Sequence, residues 1–486
     1  MKQGIRTIQV LALGVLLLAS FDLHAEGLLS SNQMLLIDGK PSFVLGLYQN
    51  PKEDAALQAA ARAGFNLIQS TPDMAELDRL QKAGVRAWIN IGMNLDLSTN
   101  AETRKVALLQ AVNQFKDHPA LLLWEGPDEV LWNEGAESGA SYFQATEFPA
   151  MEKAVKESSP ESREELSRLS SRCRELFDRA LWAQFDAARA EFWKQVGAEP
   201  PRSGYTMASR QAITNALGEG LALGMETVHA VDPKHAIWLN HAPRNSLASL
   251  ALFNRNVDMA GCDIYPVPPE IGHSDLGTSW ITSVGLYTDR MRKAAPGKAC
   301  AMVLQGFGWR DIAAQQPKEA APGTLPSGRR PTLEESRFMA FNSIVHGANA
   351  ILYWGTAYVE KDSAFWKDLL RITREIRALE PALVVPSEQG VTVVSDENPA
   401  SVDGNGVAAV CKKVGKDYVI IAVNEANVGL SFSVKGLPAE MENKELYRLG
   451  TGEKVVVKNG QMRDGIRRFD VHVYATTRAY EPAKQP

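Results

Sequence analysis

Three carboxylates, Glu125, Asp128 and Glu129, stand close together in the stretch Trp124-Glu125-Gly126-Pro127-Asp128-Glu129. They follow the apolar run Ala120-Leu121-Leu122-Leu123, which reads as a buried strand. Acids placed where such a strand runs out must be solvated, paired or used, because removing a charge from water without a partner is costly. In a barrel of parallel strands, that end of the strand carries the chemistry. Glu129 is therefore read as a catalytic carboxyl. The competing reading is an exposed acidic turn.

Strands must position these groups, and eight short apolar runs bounded by turn residues or helical patterns can be found. They are Phe43–Tyr48, Phe65–Ser70, Val85–Ile91, Ala120–Trp124, Ala236–Asn240, Met259–Tyr265, Cys300–Gln305 and Ala350–Trp354. Amphipathic stretches such as Glu53–Ala63, Met74–Ala83 and Glu102–Lys116 lie between them. Strands alternating with helices imply parallel pairing, and eight such units fit an α/β fold of the (β/α)8 barrel type. No GxGxxG follows the first run, which removes the usual dinucleotide signature.

The residues at the strand ends would ring the barrel mouth. They are Tyr48 and Gln49, Gln69, Asn90, Glu125 with Asp128 and Glu129, Asn240 and His241, Asp263 and Tyr265, then Gln305, Phe307, Trp309, Tyr353, Trp354 and Tyr358. Acids, amides and aromatics suit sugar rings, whose hydroxyls need hydrogen-bond partners and whose C–H faces stack on aromatic surfaces. A metal centre would need His/Asp ligands at coordinating spacing, and a serine nucleophile an elbow such as GxSxG. Neither is present, so no metal or cofactor is expected, and the mixture points to glycosidic-bond chemistry.

With these residues in view, the chain resembles the clan A glycoside hydrolases, the (β/α)8 group that includes cellulases, mannanases and β-galactosidases. The resemblance is carried by Met34–Gly46 (MLLIDGKPSFVLG) and by His118–Trp124 leading to Asp128-Glu129. Asp263-Ile264-Tyr265-Pro266, and His346-Gly347-Ala348 through Tyr353-Trp354-Gly355, complete it. It implies that Glu129 is the general acid/base. Two positions depart from the clan's pattern. Asp128 stands where the clan has Asn, and Gln305 stands where it has the strand-seven Glu nucleophile. An amide cannot form the glycosyl ester of a retaining mechanism.

Asp263, ending the sixth run, is the preferred second carboxylate. At about 5–5.5 Å from Glu129 it would be a nucleophile, and at roughly 6.5–9.5 Å a base for inversion. It also reads as a residue that positions a neighbour. Asp128, Glu125, Asn90, Asn240, His241, Tyr265, Gln305, Trp309 and Trp354 are expected to bind substrate. Two alternatives stay open. Hexosaminidases that use the substrate's 2-acetamido group as nucleophile carry a similar adjacent Asp-Glu pair, and a non-catalytic carbohydrate-binding barrel would explain Gln305.

The rest of the chain sets the context. Lys2 and Arg6, the apolar run Val10–Ala19 and Leu23-His24-Ala25 read as a signal peptide over residues 1–25, and export to the periplasm or medium is expected. Residues 26–385 would form the barrel, with a helical insertion at about 145–200 that opens on Ser159-Pro160. Residues 386–486 carry short β-type runs between Gly, Asn and Asp, which reads as a C-terminal antiparallel β-sandwich. A formal net charge of −5 without a basic cluster argues against nucleic acid as partner. No membrane insertion is expected after signal cleavage, and the sequence leaves the oligomeric state open. Cys173, Cys262, Cys300 and Cys411 show no CxxC spacing, so neither a disulfide scaffold nor a thiolate zinc site is expected.

Overall fold

The computed structural model describes residues 27–271, Leu276, 280–315, 328–396 and 406–483. Residues 1–25, read from the sequence as a signal peptide, lie outside them. Eight parallel strands close into a barrel: β1 (Val44–Leu47), β2 (Leu67–Ser70), β3 (Arg86–Asn90), β4 (Leu121–Glu125), β5 (Ala236–His241), β6 (Met259–Ile264), β7 (Ala299–Gln305) and β8 (Ala350–Trp354). The β8–β1 pairing completes the ring, with Ala350 beside Val44. Each of the eight runs supplies one strand. Both faces of such a strand are covered, by the barrel interior and by the outer helices, so the sequence reads as a continuous apolar run.

The pleat sorts the side chains. Val44, Tyr48, Leu67, Trp88, Leu123, Trp238, Met259, Val303 and Leu352 form the inner cluster, whereas Leu45, Ile68, Ile89, Trp124, Ile237, Cys262 and Leu304 pack outward with the helices. Alternation along each strand then turns Gln69, Asn90, Glu125, Asn240, Asp263, Gln305 and Trp354 inward at the carboxyl ends. Gly261 makes room for this interior: a Cβ there would meet the Trp238 ring at 2.6 Å.

After β4 the chain leaves the barrel through helices at Val130–Glu134, Ala136–Tyr142, Phe148–Glu157, Pro160–Asp178 and Trp182–Val196. They enclose their own core of Phe143, Phe148, Phe177, Phe185 and Phe192. Inside it the Glu147 carboxylate accepts from Arg189 Nε (2.6 Å) and Trp193 Nε1 (2.7 Å). The long helix Met207–Val231 then returns to β5.

The C-terminal strands are β9 (Thr392–Ser395), β10 (Val407–Val414), β11 (Asp417–Asn424), β12 (Leu430–Lys435), β13 (Glu445–Arg448), β14 (Lys454–Val456), β15 (Gln461–Ile466) and β16 (Val471–Ala475). They form a three-stranded sheet, β9-β12-β15, packed on a five-stranded one, β10-β11-β16-β13-β14. One face of the larger sheet, with Ile420, Ala422 and Tyr474, closes the sandwich core. The other, with Val419, Ile421, Val423, Val471 and Val473, belongs to the barrel's core. Polar ties reinforce the seam: Arg337 donates to Val471 O (2.9 Å), while Asn342 and His346 both bond Glu425 (2.6 and 2.7 Å). The domain is bolted to the barrel flank. All four cysteines are free and buried. No helix among the described residues is long and apolar enough to cross a membrane.

Candidate active site

The floor of the mouth is built around Glu125. Its side chain is fully buried, and its two oxygens take three donors: Tyr48 OH just past β1 (3.1 Å), Gln69 Nε2 of β2 (2.9 Å) and Trp88 Nε1 of β3 (3.0 Å). Burial, then the nearby Asp128, push its pKa up to about 8 against these three bonds. The Tyr48, Trp88 and Trp238 rings meet edge-on at 5.3–6.0 Å and hold the floor rigid. Glu125 was expected to touch substrate. With no exposed surface it supports the floor instead.

Above it, Asp128 and Glu129 leave the strand end. Asp128 opens to the mouth and accepts from Asn240 Nδ2 at 2.9 Å. The protein around it still raises its pKa by desolvation, with the Asn240 bond opposing. Glu129 is half-buried with φ 47° and ψ 27°, a left-handed conformation that is strained for a side chain of this size. Its backbone N–H donates to Asn240 O at 3.2 Å, which fixes the kink. The strain turns the carboxyl back over the mouth instead of along the helix that follows.

Asp263 descends from β6, only 4% exposed, and its carboxyl shares a hydrogen bond with that of Glu129. Burial first, then the charges of Glu129 and Asp128, hold Asp263 well above the usual carboxylate range. The same contact lowers Glu129, although burial and Asp128 raise it overall. The two carboxyls are hydrogen-bonded to each other, so they titrate as a coupled pair and not independently. They stand closer than either glycosidase spacing expected from the sequence. Tyr265, nearly buried, bonds Asp263 and stacks on Trp354 with ring centroids 5.6 Å apart and planes 24° apart. Phe307 and Trp309 close the aromatic wall, Phe307 lying 5.1 Å from both Trp309 and Trp354.

Two expected substrate ligands are corrected. His241 is one residue past the inward Asn240, so the pleat sends it outward. It is fully buried, with Nε2 bonded to Asn254 Oδ1 at 2.9 Å, and burial lowers its pKa to about 4. Gln305 faces inward but is spent: its Oε1 accepts from Val267 N (3.0 Å), and its Nε2 donates to Val267 O (2.7 Å) and Phe307 O (3.1 Å). It braces the loop after β6, and its amide is what that work requires. Asn90 is half-buried and ties its own loop through Gly92 N at 2.7 Å.

A pocket of about 150 Å³ opens beside Glu129, lined by Trp132, Ala242, Pro243 and Arg244. Trp132 and Arg244 were not singled out in the sequence, nor was Trp88. The pleat of β3 was the available signal for Trp88; none pointed to the other two. Among the described residues, no group of three or more His, Cys, Asp or Glu side chains is placed to hold a metal ion.

No protein-family model matches the sequence, and no curated protein matches it either. Solved structures do. A β-galactosidase from Bacillus circulans sp. alkalophilus matches with a TM-score of 0.50 at 8% identity, covering 90% of this chain and 99% of its own. A family 5 glycoside hydrolase from Bacteroides vulgatus matches at 0.48 and 11%, covering 92% of each chain. A β-galactosidase from the psychrophilic Marinomonas ef1 matches at 0.43 and 12% over 69% of this chain, which spans only 60% of that protein. These likenesses show the fold, a (β/α)8 barrel with appended C-terminal sheets.

Proposed function

We propose that the chain is a glycoside hydrolase acting on a poly- or oligosaccharide, with Glu129 and Asp263 as the working carboxyls. The observation that carries this reading is the hydrogen-bonded pair of Glu129 and Asp263 at the carboxyl end of the barrel, faced by the Tyr265–Trp354 platform. A pair holding one proton contains both an acid and a base. Glu129, half-exposed on a loop, is the member free to move; Asp263 is fixed on its strand. A substrate that parts them reaches the separation that single displacement by water needs, roughly 6.5–9.5 Å. The protonated member then gives its proton to the leaving oxygen as the C–O bond breaks, and the ionised member takes one from the attacking water. The pair ends with one proton, as it began. Asp128 and Asn240 hold the sugar's hydroxyls, and Trp309 extends the platform. The fold's likeness to a β-galactosidase is consistent with this chemistry, and the leader read at residues 1–25 supports a place outside the cytoplasm.

One observation favours a second reading. Gln305 is locked to Val267, so no carboxylate stands at the end of β7, and attack by a 2-acetamido carbonyl of the substrate would need none there. Proton NMR of oligosaccharide hydrolysis separates the two. Single displacement releases the inverted anomer first; substrate assistance releases the retained anomer and only from acetamido sugars. Hydrolysis that survives in Glu129→Gln, or sugar binding without turnover on a broad panel, would remove the glycosidase reading.

A further inference from the structure

Two aromatic surfaces flank the carboxyl pair from opposite walls of the mouth. Trp354 ends β8, and the helix Val130–Glu134 follows β4, which stands four strands away in the ring of eight and so directly across it. Glu129 is the N-cap of that helix. Its third residue, the half-buried Trp132, lines the same pocket of about 150 Å³ as Glu129. The facing wall is the buried Ala242-Pro243 pair just past β5. Asn245 Nδ2 donates to Ala242 O (2.7 Å) and Arg290 to Pro243 O (3.2 Å), so that wall is fastened in place. The Arg244 guanidinium stands 5.9 Å from the Trp132 ring centroid and steadies the indole.

A whole small-molecule site occupies about 300–1,000 Å³, so this pocket has room for a single ring. Indole, proline and alanine surfaces are those on which the C–H face of a sugar packs. The place beside Glu129 decides which sugar. When a glycosidic bond breaks, the acid gives its proton to the leaving oxygen, so the leaving group must lie against the acid. The sugar that keeps the anomeric carbon then lies across the mouth, toward Asp263 and the Tyr265–Trp354 platform.

We infer that Trp132 is the platform for the leaving sugar, so that the chain cleaves between two sugar units and selects substrates whose leaving group is itself a sugar ring. This rests on the glycosidase reading with Glu129 as the acid. The platform's contribution to sugar binding can still be measured without turnover.

The test compares β-1,4-linked tetraoses of glucose, galactose and mannose with the matching trisaccharide fluorides, whose leaving group is too small to reach a platform. On the tetraose that the wild type cleaves, Trp132→Ala should lower kcat/KM at least about tenfold more than on the fluoride. Trp132→Phe should recover most of that difference, and the melting temperatures of both variants are checked against the wild type. Equal losses on tetraose and fluoride overturn the inference and keep the hydrolase, because they mean that Trp132 only supports Glu129. A loss below about twofold on the tetraose does the same. Calorimetric titration with the same tetraoses separates the two ideas. Binding that Trp132→Ala weakens at least about tenfold, with no turnover of any substrate, would keep the sugar platform and discard the hydrolase. Binding that Trp132→Ala leaves within about twofold would discard the platform. Neither binding nor turnover of any tetraose would overturn both.

Discussion

Replacing Glu125 with glutamine is the sharpest probe of the floor. Moving a carboxyl's midpoint from 4.5 to about 8 corresponds to about 5 kcal/mol between its two protonation states. Because the folded value is the higher one, this stabilisation is complete below the ordinary midpoint and is lost as pH rises through 8. Glutamine removes that titration. Its Oε1 can still accept from Gln69 and Trp88 while its NH2 donates to the Tyr48 hydroxyl, as the protonated acid does. At pH 5 the variant and the wild type should therefore differ by less than about 1 kcal/mol. Toward pH 9 the wild type bears the cost of a buried charge, so a gap should open in the variant's favour. Denaturant melts of both proteins at pH 5, 7 and 9 measure it. A gap independent of pH would mean Glu125 is already ionised at pH 5, which would refute the argument.

Gln305→Glu, which would restore a strand-seven carboxylate, should not create a better enzyme. The new charge would face the carbonyls of Val267 and Phe307, so the urea midpoint should fall by the equivalent of about 2–5 kcal/mol; a midpoint like the wild type's would contradict this. His346 is a basic clamp at the seam. Burial would lower its pKa, but the bonds to Asp289 and Glu425 raise it to about 9, so its contribution is present at neutral pH and fades as pH rises through 9. His346→Gln should lose about 1–3 kcal/mol at pH 7 and show no further loss at that alkaline step, read from melts across pH 7–10. Trp354→Ala should raise KM about three- to tenfold with little change in kcat, from the lost platform; an unchanged KM would remove the ring from the site.

The sequence disclosed the barrel because a strand covered on both faces must be apolar throughout. Glu129 and Asp263 stood out because acids at such ends are rare without a use. The pleat, once strands are known, separates Asn240 from His241, yet residue types alone make both attractive. Glu125's role was hidden, since its three partners come from the end of β1 and from β2 and β3, far away in the chain. Gln305 misled for a related reason: its work is to hold the backbone of Val267, which no spacing reveals. In the sandwich, β13 and β15 are hard to read from sequence because the charged residues Glu445, Arg448, Arg463 and Asp464 mask the alternation.

The central claim is that Glu129 and Asp263 act as a pair with one proton. The pH dependence of kcat/KM, on an oligosaccharide the protein cleaves, tests it most directly. The wild type should give a bell with both limbs belonging to the pair, and Asp263→Asn and Glu129→Gln should each reduce it to a single limb with at least about a hundredfold loss at the optimum. A single-limbed wild-type profile, or a bell that Asp263→Asn leaves unchanged, would contradict the account.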